Sequence, residues 1–378
     1  MMVYWSMFIY TIVVSMVVDN MSKRTVLFKE AVSGKKMMFK RVGLFGGLLT
    51  FFLVVFFAGH RCDVADSFMY ISYYGTTTGT VSDIPAIMQS DAKSPLFDAI
   101  IIFCKQELHY TYHEWFMLLA FFQGFTIARF ISRFSENFSF SSYMFVAEVT
   151  FYWMMNGIRQ FTAVCIVLLV MEQFFNKKWI PFLIAVYLAY KVHSSAAIWI
   201  GFFIQAHWKP FATKTLIAIL VVVILFSLYI SGDMEGTDYE GYNEQSEYED
   251  DGVNIFQVLI YAVPGVIAFS KRKIILSKKR PYYIDVMINL SIIVFGIDFI
   301  GMMSSQGVTI GRLPIYFSLC NNILIPWLID NAFDNKTKPV IQKLAIGAYL
   351  FYYVYYAYIV NNGLSYHSRS LGISLYSY

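Results

Sequence analysis

Charge is scarce in this sequence. Asp, Glu, Lys and Arg make up 14% of 378 residues and hydrophobic types 58%, where a soluble domain carries about 25% charged residues. That deficit excludes a water-exposed surface of ordinary area. Alternating runs of strand length are lacking, which argues against a membrane barrel. Met2 to Val18 is apolar, but it has no basic segment before it and no small-residue cleavage site after it, so it reads as a retained span and not a leader. Cysteine is limited to Cys62, Cys104, Cys165 and Cys320. They show no C-x-x-C spacing, which excludes a zinc ribbon and leaves a Cys62–Cys104 bridge open. Net charge is +4, too small to imply nucleic acid as a partner.

What the chain has instead is a series of apolar blocks. A bilayer core takes about 20 helical residues to cross, and backbone groups in lipid must be satisfied internally, so helices are the expected solution. Candidate spans are Met2–Val18, Val42–Ala58, Tyr112–Ile131, Phe140–Met155, Ile158–Phe175 and Trp179–Tyr190, then Ser194–Ala206, Thr215–Ser231, Val253–Ser270, Tyr282–Met303, Leu313–Ile329 and Pro339–Tyr358. This is an all-α polytopic bundle of about twelve spans in a single membrane domain, 1–378. Two of the spans are short, and Lys191, His193, Ser194 and Ser195 break the chain between them.

Lys and Arg set the orientation. Segments 19–41 and 271–280 are strongly basic, and the turns at 176–178, 207–214 and 330–338 are basic too. With twelve crossings and the N-terminus outside, all of them fall on the cytoplasmic side. The loop 232–252 falls outside; it has nine acids and no Lys or Arg, and its composition suits a solvated loop. A second external segment, 60–111, contains Ser94-Pro95-Leu96 and an apolar run to Cys104. Pro suits a first helical turn, and the run is too short to span, so a re-entrant or interfacial helix is expected there.

A cation on the outer side is what this rule disfavours. Arg61, Lys93, Lys105, Arg159, Lys191, Arg312 and Arg369 are placed there. Arg61, Arg159 and Arg312 each stand at the outer mouth of a span. Guanidinium groups bind phosphate bidentately and stay charged, so three at one depth would make a lipid-diphosphate site. Each alone could snorkel to headgroups. Asp66 and Tyr70 share a helix face at i, i+4; Asp66 could act as a base or position a hydroxyl, or Asp66 or Ser67 could cap a short helix. Arg159 and Gln160 open a helix after Gly157, where anions are favoured. His193, in the helix break, could exchange protons near neutral pH or hydrogen-bond within the packing. Glu148 and Asp298 lie within spans and read as structural partners. Gly43 and Gly47 form a small-xxx-small pair suited to packing.

Five strings carry a resemblance. Arg61-x-x-Val64-Ala65-Asp66-Ser67-x-x-Tyr70 resembles the R-x-x-[IV]-G-D-T-x-x-Y motif of the EpsG family of membrane proteins. Asn156-Gly157-Ile158-Arg159-Gln160 with Ala163 is similar to its N-G-[IL]-R-Q-x-[IL]-A motif, and His193-Ser194-Ser195-Ala196 to its H-x-S-A motif. Arg312 with Tyr316 resembles its R-x-x-x-Y element, and Ser94-Pro95-Leu96-Phe97 its D-P-[LG]-F stretch. Order and spacing agree along about residues 55–330. Ala65 and Ser67 stand for the usual Gly and Thr, and Ser94 for the acid before Pro95.

The resemblance implies a Wzy-like polysaccharide polymerase on a glycosyltransferase-C-like membrane scaffold. It implies undecaprenyl-diphosphate-linked oligosaccharide as donor and acceptor, assembled as O-antigen or exopolysaccharide at the outer face of the bacterial cytoplasmic membrane, with a chain-length regulator as an expected protein partner. Arg159 and Arg312 would neutralise the departing diphosphate with Arg61 closing the site, so no metal or cofactor is expected. His193 would take the acceptor proton, Asp66 would position the acceptor, and Tyr70, Gln160 and Tyr316 would contact substrate. An O-antigen ligase or other lipid-linked-sugar glycosyltransferase would share nearly this whole site. A lipid-linked oligosaccharide flippase would need a central cationic cavity reachable from both faces.

Overall fold

The computed structural model describes residues 1–21, 23–90, 92–232, 253–304, 307–360 and 364–374. Except for Gly232, the acidic loop 232–252 lies outside the described residues. The chain opens with helix α1 (Met2–Asp19), a β-hairpin of β1 (Lys23–Lys29) and β2 (Lys36–Val42), and the broken pair α2 (Leu44–Thr50) and α3 (Phe52–His60). A group of shorter helices follows: α4 (Ser67–Thr76), α5 (Ile84–Gln89) and α6 (Pro95–Gln106). Next are α7 (Tyr112–Phe134), α8 (Phe138–Ala147), α9 (Ile158–Leu169), α10 (Met171–Phe175), α11 (Trp179–Val192), α12 (Ile198–Phe202) and α13 (Thr213–Gly232). The last helices are α14 (Ile255–Ser270), α15 (Arg272–Ser277), α16 (Tyr282–Met303), α17 (Gly307–Gly311), α18 (Ile315–Ser318), α19 (Asn321–Ala332) and α20 (Lys338–Tyr355). A second hairpin, β3 (His367–Ser368) with β4 (Ile373–Ser374), closes the described chain.

The protein is mostly helical, but the all-α expectation needs correcting for the two hairpins. Residues 23–42 read as a basic loop, yet β1 and β2 pair in antiparallel register from Lys23↔Val42 to Lys29↔Lys36. The lysines face outward while Val26 and Phe28 turn inward. Phe28 packs on Tyr283 and Phe134, with ring centroids 4.8 and 5.5 Å away.

Among the described residues three helices, α1, α7 and α16, are long and apolar enough to cross a membrane. The bent pair of Gly307–Ser318 and Asn321–Ala332, 57° apart, makes a fourth if it counts as one span. Several expected spans are broken: α8 gives way to a 3₁₀ turn at Thr150–Met154, and α9 stops at Leu169 before α10. Sidedness explains the outward surface. Along α1, Val3, Tyr4, Met7, Phe8, Thr11, Ser15 and Val18 are buried at helical spacing, whereas Ile9, Val13, Met16 and Val17 point outward. Phe45, Phe52, Ile180, Ile184, Leu220 and Leu228 do the same on other helices. Outward apolar rows of this extent suit lipid and not water, so this is a membrane protein. Gly47 serves close packing within the chain: a Cβ there would sit 2.3 Å from Ser132 Oγ of α7, whereas Gly43 has nothing within 4 Å.

The basic turns gather at one end of the bundle. Ala31 N donates to Arg280 O (2.9 Å), Lys177 lies 5.0 Å over the Tyr282 ring, and His207 Nδ1 meets Tyr282 Oη at 3.0 Å. Lys278 Nζ donates to Asn331 O at 2.6 Å. At the other end the segment at residues 365–366 meets α1 and α3. Tyr4 Oη donates to Ser365 O (3.1 Å) and Tyr366 Oη to Phe57 O (2.9 Å). The two acids expected within spans, Asp298 and Glu148, are each met by an amide. Gln257 Nε2 donates to Asp298 Oδ1 at 2.7 Å, and the Asn322 amide, oriented nitrogen-first, lies 2.7 Å from Glu148 Oε2. All four cysteines are free thiols.

Candidate functional site

After α3 the chain turns sharply through residues 61–66. Ala65 takes a left-handed conformation at φ +47°, which costs an L side chain roughly 1–2 kcal/mol and costs glycine nothing sterically. Ala65 is therefore not a neutral replacement for the glycine that the motif usually carries. Arg61 turns inward from this loop and is only 1% exposed. Its Nε donates to Ser67 Oγ at 2.9 Å and its Nη1 to the carbonyl of Ala58. Its guanidinium lies 4.2 Å over the Phe116 ring. Burial pulls its pKa below the usual guanidinium range. A ligand cannot reach this side chain without opening the packing, so Arg61 ties α3, α4 and α7 together behind the site. Arg61→Ala should destabilise the protein by on the order of 2–4 kcal/mol, since it takes the guanidinium partner from the Ala58 carbonyl and from Ser67 Oγ and opens a cavity over Phe116. Thermal unfolding in detergent and the amount of protein in membranes would show this.

The loop delivers Asp66 to the N-cap position of α4 without a side-chain capping bond. One turn on, Tyr70 N donates to Asp66 O at 3.2 Å. The Tyr70 hydroxyl reaches the start of α9, where it accepts from Arg159 N at 3.5 Å. Gly157 caps that helix at φ +47°, and an added Cβ would lie 2.8 Å from the Trp153 ring, so both backbone and space demand glycine. Arg159 Nη1 donates to Ser94 Oγ at 2.9 Å, and its guanidinium stands 5.9 Å over the Tyr73 ring. Ser94 thus keeps a hydrogen-bond acceptor where the motif usually has an acid, but adds no negative charge. Asp98, one turn further along α6, bonds the Tyr73 hydroxyl. Burial raises its pKa, while that bond and the Arg159 charge lower it.

On the other side of α9, Gln160 Nε2 donates to Arg312 O at 3.0 Å, so it positions the Arg312 loop. One turn beyond, Tyr316 Oη lies 2.9 Å from Ser195 Oγ. Ser195 Oγ lies 2.7 Å from His193 Nδ1. His193 sits in extended backbone (φ −155°) where α11 ends and a 3₁₀ turn, Ser194–Ala197, begins. It is 6% exposed and Tyr316 1%. The break between two short helices therefore aims an imidazole at a pair of hydroxyls.

These contacts set Tyr70 and Arg159 together on one side of α9 and gather Gln160, the Arg312 backbone, Tyr316 and His193 on the other, with Asp66 at the N-cap of α4 and Arg61 buried behind that helix. Sequence reasoning gave no role to Ser94, Ser195, Lys93 or Lys191. The last two line a cavity of about 180 Å³ with Pro95, Tyr190 and Ser194, beside the Ser94–Arg159 bond. Both lysines already stood on the disfavoured outer side, which was the available signal.

The model of the EpsG family matches residues 45–376. No curated protein and no solved structure matches the chain.

Proposed function

The chain belongs to the EpsG family, whose members are Wzy-like polysaccharide polymerases, and from that premise we propose that it joins undecaprenyl-diphosphate-linked oligosaccharide units at the outer face of the bacterial cytoplasmic membrane. In this reading the chain crosses about twelve times and the broken helices count as crossings. The gathering of basic turns at one end supports placing the site at the other. The observation that carries the chemistry is the junction of Arg159, held by Ser94 at a helix start, with the His193–Ser195–Tyr316 chain through Gln160 and Arg312.

An acceptor hydroxyl oxygen attacks the anomeric carbon of the donor glycan. The bond from that carbon to the diphosphate oxygen breaks, and the acceptor proton passes to His193. With Nδ1–H donated to Ser195, Nε2 is the basic nitrogen. Arg159 and Arg312 receive the charge that develops on the diphosphate, and Lys93 and Lys191 extend that cationic patch. Preorganised donors of this kind are each worth roughly 3 kcal/mol of barrier. Asp66 and Tyr70 orient the acceptor. Purified protein given lipid-linked repeat unit should yield a ladder of lengths on a gel. With lipid A core supplied as well, one unit moved onto that core would instead make the protein a ligase, and no product at all would overturn the reading.

A further inference from the structure

A larger cleft lies on another side of α4. It encloses about 560 Å³, within the ~300–1,000 Å³ typical of ligand sites. Phe68 and Ile71, at i and i+3 of α4, form one wall, while Tyr70 leaves the helix from a different face toward Arg159. Tyr112, at the start of α7, also lines the cleft, and Asp63, His367 and Arg369 supply polar groups to it. That lining is preformed. Cys62 N donates to His367 O (2.9 Å), and Ser368 Oγ accepts from Leu371 N (3.2 Å) and donates to His60 O. The β3–β4 hairpin is therefore strapped to the end of α3.

The chemistry of the lining selects the ligand. A phosphate or other anion would meet Asp63 as well as Arg369, and an acyl chain would meet the polar side chains of Asp63, His367, Ser368 and Arg369. Aromatic faces beside a carboxylate, an imidazole and a guanidinium suit a polyhydroxylated ring: its C–H face packs on the aromatics and its hydroxyls take charge-assisted hydrogen bonds. We infer that this cleft is a saccharide subsite, holding sugar residues of the substrate glycan across α4 from Arg159. The inference rests on the polymerase reading for the identity of the glycan, not for the existence of the site.

The probe is the free oligosaccharide released by mild acid from lipid-linked intermediates of cells lacking this chain. Binding to the purified full chain is measured by titration calorimetry, with a polymerisation assay on the same preparation. Arg369→Ala and Tyr112→Ala should each weaken binding at least tenfold, and Tyr112→Phe should bind within about twofold of the unaltered chain. Equal affinity in all four proteins, or no binding by a preparation that makes polymer, overturns the subsite. Cleft-dependent binding by a preparation that makes no polymer upholds the subsite and overturns the polymerase reading.

Discussion

Cells carrying Arg159→Ala should accumulate single capped repeat units and no polymer, with normal amounts of the protein in their membranes. Arg159 is the second residue of α9, where unsatisfied backbone N–H groups already favour an anion. Its guanidinium is fixed by Ser94 Oγ at 2.9 Å and by the Tyr73 ring, so little ordering is left to do when a diphosphate arrives. Removing one such preorganised donor costs roughly 10²–10³ in turnover. Arg159→Lys separates charge from shape. Lysine keeps the cation but not the planar fork, and it should recover only part of the loss. Arg61→Ala gives the contrasting pattern, in which polymer falls in step with protein abundance because that guanidinium is spent on packing. Normal polymer from Arg159→Ala would end the diphosphate assignment.

Much of this arrangement was legible in the sequence, and what was not has identifiable causes. Charge distribution named the two ends of the bundle, because moving a lysine into hydrocarbon is costly wherever the chain folds. The same rule singled out Arg159, Arg312, Lys93 and Lys191. It could not say that Arg61 turns inward, since depth along a span carries no information on side-chain direction; Ser67, the Ala58 carbonyl and the Phe116 ring decide that. The hairpin of residues 23–42 was hidden by its lysines. Its alternation rests on Val26 and Phe28, and the partner that makes Phe28 a core residue is Tyr283, some 250 positions away. The helix break at His193 was visible, but its partner Tyr316 comes from a distant segment, and no local pattern joins Ser195 to it.

His193→Ala should lower the rate of bond formation by about 10²–10⁴, the usual worth of a positioned general base. The two hydroxyls behind it should matter much less. Each contributes a hydrogen bond worth roughly 0.5–1.5 kcal/mol net, so Ser195→Ala and Tyr316→Phe should each cost about 2–10-fold in turnover while leaving KM for the lipid-linked substrate in place. The pair His193–Ser195 invites another reading, in which the imidazole activates the serine as a nucleophile. The magnitudes separate the two: a nucleophilic Ser195 would make Ser195→Ala as damaging as His193→Ala, and a glycosyl-serine adduct would be trapped on the protein by rapid quenching. Combination variants test the chain itself. If Ser195 and Tyr316 act only by orienting the imidazole, their substitutions should have no further effect once His193 is alanine, because residues that act as one unit are not additive. Additive losses would mean that the two hydroxyls serve the packing between α11 and α18 independently of the base. Wild-type turnover in His193→Ala would remove the imidazole from the reaction, leaving Asp66 as the remaining candidate for the proton.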